Sequence, residues 1–270
     1  MKKIKPFLKW AGNKYNCLDK IIMEFPPGKR LIEPFTGSGA IFINSLYPSY
    51  LLAEDNKDLV SLFSILKKEG DPFIAYCAEF FSEQNNCESK YYEFRTEFNS
   101  CTDKRRKSAL FLYLNRHGYN GLCRYNQSGI FNVPFGRYIK PYFPRKEMIN
   151  FQQKSKNAKF IHKDFRQTFA KAIPGDVIYC DPPYAPLKQE SNFSSYTQKK
   201  FGEEEQIILA ELAMEAMNKN ITVIISNHDT EFTRHHYRDA KIKSFLVRRN
   251  ISCNSANRLP VQELLAIFSN

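Results

Sequence analysis

The sequence predicts an α/β chain: a Rossmann-like, seven-stranded, mostly parallel sheet interrupted by an inserted helical and β-hairpin region. Three observations carry this. An apolar strand, Leu31-Ile32-Glu33, runs into Pro34-Phe35-Thr36-Gly37-Ser38-Gly39, and the apolar Ala40-Ile41-Phe42 leaves it as the start of a helix. A second apolar run, Val177-Ile178-Tyr179-Cys180, meets Asp181-Pro182-Pro183-Tyr184. The stretch between these two signatures is far longer than one βαβ unit requires, so a domain is inserted there. The expected division assigns 1–56 and 158–270 to the sheet domain and 57–157 to the insert.

In chain order, Tyr50-Leu51-Leu52-Ala53 reads as a second short strand, ending in the acidic pair Glu54-Asp55. Apolar residues then recur at three- and four-residue steps over 58–68, 72–81, 89–98 and 103–115, which predicts helices. From 118 to 138 the texture changes to glycines, asparagines and aromatics, predicting a hairpin that turns at Gln127-Ser128-Gly129. The sheet resumes with 159–162, ending at Asp164-Phe165, then 177–180, then 221–225, ending at Ser226-Asn227-His228. A helix over 203–218 separates the last two, and 244–251 with 261–269 form a closing antiparallel pair.

Asp181-Pro182-Pro183-Tyr184 looks like the active-site motif of a methyltransferase acting on an exocyclic amine. An aromatic NH2 shares its lone pair with its ring and is a poor nucleophile. If the Asp181 carboxylate and the Pro182 carbonyl each accept one N–H, the nitrogen pyramidalises and its lone pair turns outward. The prolines stiffen the loop and remove donors, and Tyr184 offers a stacking face to a flat base. A simple strand stop would also use Asp and Pro. The glycine turn lowers that reading, because two glycines let a nucleoside-bearing ligand lie against the backbone, and an acid after the second strand suits a ribose diol. Either Glu54 or Asp55 can be that acid; Glu54 directly follows the strand. A P-loop lysine and the third glycine of a dinucleotide fingerprint are absent, which favours S-adenosylmethionine over ATP and NAD.

Forty Lys+Arg against 28 Asp+Glu give a net charge of +12, which points to a polyanionic partner, most simply nucleic acid. The seven cysteines contain no C-x-x-C pair and are odd in number, which suits a reduced cytoplasmic protein. The five histidines form no metal pattern, and no stretch approaches the ~18 apolar residues of a membrane span. In the hairpin, Arg suits a guanine edge, Asn an adenine edge and Tyr a gap in a base stack. An exposed loop rich in turn formers would have the same composition.

These residues together resemble the Dam family of DNA adenine N6-methyltransferases, over nearly the whole chain. The resemblance rests on Phe7-Leu8-Lys9-Trp10-Ala11-Gly12-Asn13-Lys14, Glu33 to Gly39, the hairpin from Asn115 to Tyr138, Asp181 to Tyr184, and Ser226-Asn227-His228-Asp229. Their order resembles the α group of amino-methyltransferases. The resemblance implies methyl transfer from S-adenosylmethionine to N6 of a flipped adenine in double-stranded GATC, leaving S-adenosylhomocysteine and using no metal. It implies a cofactor pocket of Trp10, Ala11, Lys14, Phe35, Gly37, Gly39, Glu54, Phe165 and Asp181, with Asp181, Pro182 and Tyr184 catalytic. On the DNA side it gives Lys9 the outer guanine, Leu122, Arg124 and Pro134 the other base pairs, and Tyr119 and Asn120 the flipped base. Arg95, Asn126, Asn132 and Arg137 would contact phosphate or backbone. Asn13 stands where the family more usually has glycine, and Glu54 where it usually has Asp. Cytosine-N4 enzymes more often carry Ser at the position of Asp181, and glutamine methyltransferases carry Asn. An RNA adenine enzyme and a catalytically dead DNA-binding regulator remain as alternatives. The expected protein is a cytoplasmic, nucleoid-associated monomer with no obligate protein partner and no membrane contact.

Overall fold

The computed structural model describes residues 3–185, 201–247 and 260–270. Its strands are β1 (Arg30–Glu33), β2 (Ser49–Glu54), β3 (Ala158–His162), β4 (Asp176–Cys180), β5 (Thr222–His228), β6 (Lys241–Val247) and β7 (Val261–Phe268). They form one seven-stranded sheet of order β3-β2-β1-β4-β5-β7-β6, the expected fold class. β1 pairs in parallel with β2 and β4, and β4 with β5, whereas β7 runs antiparallel to both β5 and β6. The helices are α1 (Leu18–Ile22), α2 (Ala40–Asn44), α3 (Lys57–Glu69), α4 (Asp71–Ala78), α5 (Glu88–Ser100), α6 (Lys104–His117), α7 (Arg145–Lys154), α8 (Phe165–Phe169), α9 (Glu203–Asn218) and α10 (Glu231–His236).

The chain folds into two compact units. The first comprises 1–15, 36–46 and 54–162. Its core is aromatic: Phe7, Phe42, Phe63, Phe151 and Phe160 meet at ring distances of 4.7–6.2 Å. α6 packs on both α3 and α5, and is buried on every side from Ser108 to His117. The second unit comprises 16–35, 47–53 and 163–270. β4 is buried along its whole length, as a central strand covered on both faces must be, which explains why its sequence is a continuous apolar run.

Three segments differ from expectation. Ser226-Asn227-His228, expected beyond the strand, are its last three residues and pair with β7. The hairpin of 118–138 is an antiparallel loop without a ladder, closed by isolated bridges at Gly118↔Phe135 and Tyr125↔Phe131. Positive φ at Asn120, Gly121, Gly129 and Arg137, with Pro134 lacking a donor, breaks the regular pairing that two strands would need. The closing strand expected at 244–251 begins earlier, at Lys241; positions 248–251 lie outside the described residues.

Candidate functional site

The loop after β4 is fastened from several elements of its own unit. Ser226 Oγ on β5 donates to Asp181 Oδ1 at 3.1 Å and lies 3.0 Å from the Tyr179 hydroxyl. Gln206 Nε2 on α9 donates to the Pro183 carbonyl at 2.7 Å. Asn227 Oδ1 accepts from Ala185 N at 3.1 Å, and its amide donates to Gln206 Oε1 and the Tyr237 hydroxyl at 2.9 and 3.1 Å. Tyr184 donates to Glu263 Oε2 at 3.0 Å, and its ring meets His228 edge-on. Burial pushes the Tyr179 and Tyr184 phenols well up, so both remain donors.

These bonds decide which acceptors the loop presents. The Pro183 carbonyl is taken by Gln206, while the Pro182 carbonyl receives no hydrogen bond among the described residues. Asp181 is held by one oxygen on Ser226. A carboxylate has about four lone-pair sites and accepts from several donors at once.

In the same unit, Phe165 opens α8, where Asp164 caps the helix by accepting from Arg166 N at 2.8 Å. Its ring stacks on Phe35 at 5.6 Å, contacts Phe201 at 5.4 Å, and lies under the Arg166 guanidinium.

The other unit carries the glycine turn. Gly37 and Gly39 have φ of +51° and +72°. A Cβ on Gly37 would stand 2.9 Å from Trp10 Nε1, so the turn needs glycine there both for its backbone and for the indole. Gly37 N donates to Glu54 Oε2 at 3.0 Å and Asn56 N to Glu54 Oε1 at 3.3 Å. Burial raises the Glu54 carboxyl above its usual range, and the N–H groups of Gly37, Asn56 and Asp55 oppose the shift. Asp55 is exposed, with His162 Nε2 at 3.0 Å from its backbone carbonyl. Lys14 is buried and donates to the Gly12 carbonyl at 3.0 Å, while Ala11 is exposed. Asn13 turns its side chain back to accept from Tyr15 N at 2.8 Å, and its φ is not positive, so the position has no need of glycine.

The 118–138 loop lies in this unit too, together with Lys9. Asn115 clamps Lys9 from both sides, accepting from its N at 2.9 Å and donating to its carbonyl at 2.8 Å. The Lys9 ammonium sits 3.9 Å from the Tyr138 ring centroid and donates to the Arg116 carbonyl, and burial with the nearby Arg116 charge lowers its pKa. A Cβ on Gly121 would collide with the Lys9 side chain at 2.3 Å. Arg124 gives Nε to Asn132 Oδ1 at 2.8 Å and one N–H of Nη2 to the Asn132 carbonyl at 3.2 Å, which leaves Nη1 and the second N–H of Nη2 unused by Asn132. Arg95 donates to the Val133 carbonyl, Asn126 Oδ1 accepts from Ile130 N, and Arg137 stands 3.6 Å from Glu88 with both side chains exposed. Tyr119, Asn120 and Pro134 are exposed and Leu122 is half-buried.

Residues 10–251 match the D12 class of N6 adenine-specific DNA methyltransferases. The chain belongs to that family. It is 49% identical to the DNA adenine methylase of Escherichia coli K12, over 99% of this chain and 96% of that one. With the DNA adenine methylases of Serratia marcescens and Haemophilus influenzae it shares 48% and 49% identity, over 99% and 98% of this chain and 100% and 94% of theirs. A solved putative RNA methyltransferase from Pyrococcus horikoshii aligns over 100% of this chain and 90% of its own, at a TM-score of 0.42 and 9% identity, which bears on nothing further. The protein is an adenine-N6 DNA methyltransferase. Among the described residues no group of His, Cys, Asp and Glu is placed to hold a metal, and no helix is long and apolar enough to cross a membrane.

Sequence reasoning leaves out Gln206, Tyr237 and Glu263, which fasten the Asp181 loop, and Asn115, which fastens Lys9. Gln206 had a faint signal: it shares the buried face of α9 with Leu209, Ala210 and Ala213, where a polar residue requires partners.

Proposed function

We propose that this methyltransferase acts on N6 of adenine in double-stranded GATC, with S-adenosylmethionine as methyl donor and the target base flipped out of the duplex. The observation that carries the catalytic part is the pair of acceptors at Asp181 and Pro182. Ser226 orients the Asp181 carboxylate and Gln206 engages the Pro183 carbonyl, so a flipped adenine would meet the Asp181 carboxylate and the Pro182 carbonyl. Each takes one N6 hydrogen and turns the lone pair outward. Tyr184, with its hydroxyl fixed on Glu263, supplies ring surface beside the base.

The donor set fits the cofactor. In the first unit Glu54 offers a carboxylate for ribose hydroxyls and Lys14 a cation for a carboxylate; in the second, Phe35 and Phe165 supply aromatic surface for a purine. Trp10, Ala11, Gly37 and Gly39 shape the backbone around Glu54. S-adenosylmethionine brings a methyl group on a positive sulfonium, so the nitrogen needs no metal and no covalent enzyme intermediate.

On the DNA side, Lys9 reads the outer guanine, Arg124 presents its remaining N–H groups to a second guanine, and Leu122 and Pro134 meet the other bases. Tyr119 and Asn120 lie beside the flipped position, and Arg95, Asn126, Asn132 and Arg137 face the backbone. Asn132 also aligns Arg124. The protein works as a monomer in the cytoplasm. The test is plasmid DNA from cells expressing the protein, digested with nucleases that distinguish methylated from unmethylated GATC. Full protection at GATC is expected; adenine methylation spread over other tetranucleotides overturns the specificity.

A further inference from the structure

Two side chains tie the recognition loop to the segment that follows β2. The Tyr125 hydroxyl donates to Asp58 Oδ2 at 2.9 Å, and Asn56 Nδ2 donates to Cys123 Sγ at 3.4 Å. The Tyr125 ring packs against Phe131, and Asp58 is buried with Lys107 on its other oxygen. Burial pushes the Cys123 thiol up to about 12 and the Tyr125 phenol higher still, so neither ionises and the phenol stays a donor.

The anchors begin α3. Asn56 is its N-cap, accepting from Asp58 N and Leu59 N at 3.0 and 3.2 Å. Asn56 N in turn donates to Glu54 Oε1, and Glu54 Oε2 accepts from Gly37. An unbroken hydrogen-bonded path therefore leads from the glycine turn through Glu54 and the helix cap to the base-reading loop.

We infer that Asn56, Asp58, Cys123 and Tyr125 form a clasp coupling ligand on Glu54 to docking of the 122–132 loop, so that cofactor and duplex DNA each tighten binding of the other. The inference rests on the reading of Glu54 as the ribose acid. The loop has two states, clasp closed and clasp open. Asn99 holds the far arm independently, accepting from Phe131 N at 2.8 Å and donating to its carbonyl at 3.1 Å. The 122–125 arm joins that arm through the Tyr125↔Phe131 bridge and the bonds between Arg124 and Asn132. Among the described residues it reaches the start of α3 only through Cys123 and Tyr125, while 126–130 are exposed. A ligand that fixes the Glu54 carboxylate also fixes the Asn56 N–H bonded to it, and with it the cap that presents Asn56 and Asp58 to the loop. DNA that docks the loop favours the same cap geometry from the other end, and the two effects must be equal in size.

Tyr125→Phe keeps the ring and removes only the hydroxyl that reaches Asp58. Asn56→Ser keeps a capping acceptor and removes the donor to Cys123. S-adenosylhomocysteine, which permits no turnover, is titrated into the full chain with and without saturating GATC duplex. DNA should tighten wild-type binding about fivefold or more. Tyr125→Phe should bind within about twofold of wild type without DNA and lose most of the DNA-induced factor. A merely structural hydroxyl would shift melting temperature and both affinities while leaving that factor intact. Both variants retaining the full factor, or a wild type without one, overturns the clasp. Glu54→Ala titrated without DNA tests the ribose reading separately: unchanged affinity there overturns that reading.

Discussion

The loop that follows β4 and the 118–138 loop, proposed to read DNA, are built on opposite plans. Asp181 to Ala185 span five residues and are fastened by side chains from β5, α9 and β7, most of them buried. Residues 118–138 are closed by two isolated bridges and a few side-chain ties, and much of their surface is exposed. The difference suits the proposed role of each. Methyl transfer needs acceptors fixed to a fraction of an ångström, and small misplacements are costly. Base reading needs an exposed donor edge that settles against DNA, so part of its ordering waits for the partner.

The largest expected effect is at the fixed loop. Asp181→Ala removes an acceptor of an N6 hydrogen and should cut single-turnover methylation by at least about 10²-fold. Duplex binding should be little changed, because Asp181 contributes no cation to the phosphates. Near-normal transfer in this variant would falsify the catalytic assignment.

Gln206→Glu tests whether the fastening matters apart from the acceptors. It retains an oxygen for Asn227 and Tyr237 but loses the donor to Pro183, setting a carboxylate against a buried carbonyl. A buried group left unpaired costs about 1–3 kcal/mol, so transfer should slow by about tenfold or more. If the transfer step is unaffected while thermal stability falls, Gln206 only holds the fold.

How much of this could be read in sequence depends on whether the signal was local. The turn 34–39 and the run 177–180 were legible because positive-φ glycines and a strand buried on both faces leave marks on consecutive residues. α7 was not read as a helix: it buries only Met148 and Phe151 and follows a stretch dominated by turn formers. The strand end at Ser226 to His228 was misplaced because those polar residues face partners on other elements, which alternation cannot reveal. The fastening of Pro183 by Gln206 and of Lys9 by Asn115 joins residues 23 and 106 positions apart, beyond any spacing rule. The residues proposed for the chemistry stood in local motifs; the residues that hold them did not.

At the reading loop, Arg124 should govern selectivity rather than rate. Its Nε side is engaged by Asn132, and if the remaining N–H groups hold a guanine, Arg124→Ala should cost about 1–3 kcal/mol of discrimination at one base pair. Methylation rates on GATC and its single-substitution variants measure this. A uniform loss on all sequences would reassign Arg124 to the backbone. Asn132→Ala should partly reproduce the relaxed specificity, because it frees the guanidinium to rotate.

Arg137 carries the smallest effect and the one most different from the catalytic loop. Its side chain is 78% exposed, and Glu88, its ion-pair partner among the described residues, is 3.6 Å away and itself 54% exposed. An ion pair so open to water contributes little, so the guanidinium exchanges Glu88 for a phosphate at small cost. Its φ is +53°, a strain set by Cβ that Ala keeps, so Arg137→Ala removes the guanidinium without changing the backbone cost. Arg137→Ala should therefore weaken binding by a similar factor on GATC and on unrelated duplexes. It should also lower the slope of log K against log salt by about 0.9, the signature of one lost phosphate contact. Fluorescence anisotropy at several salt concentrations on both duplexes gives the two slopes. Equal slopes for variant and wild type, with affinity lost only on GATC, would place Arg137 at a base edge and extend direct reading to the far end of the loop.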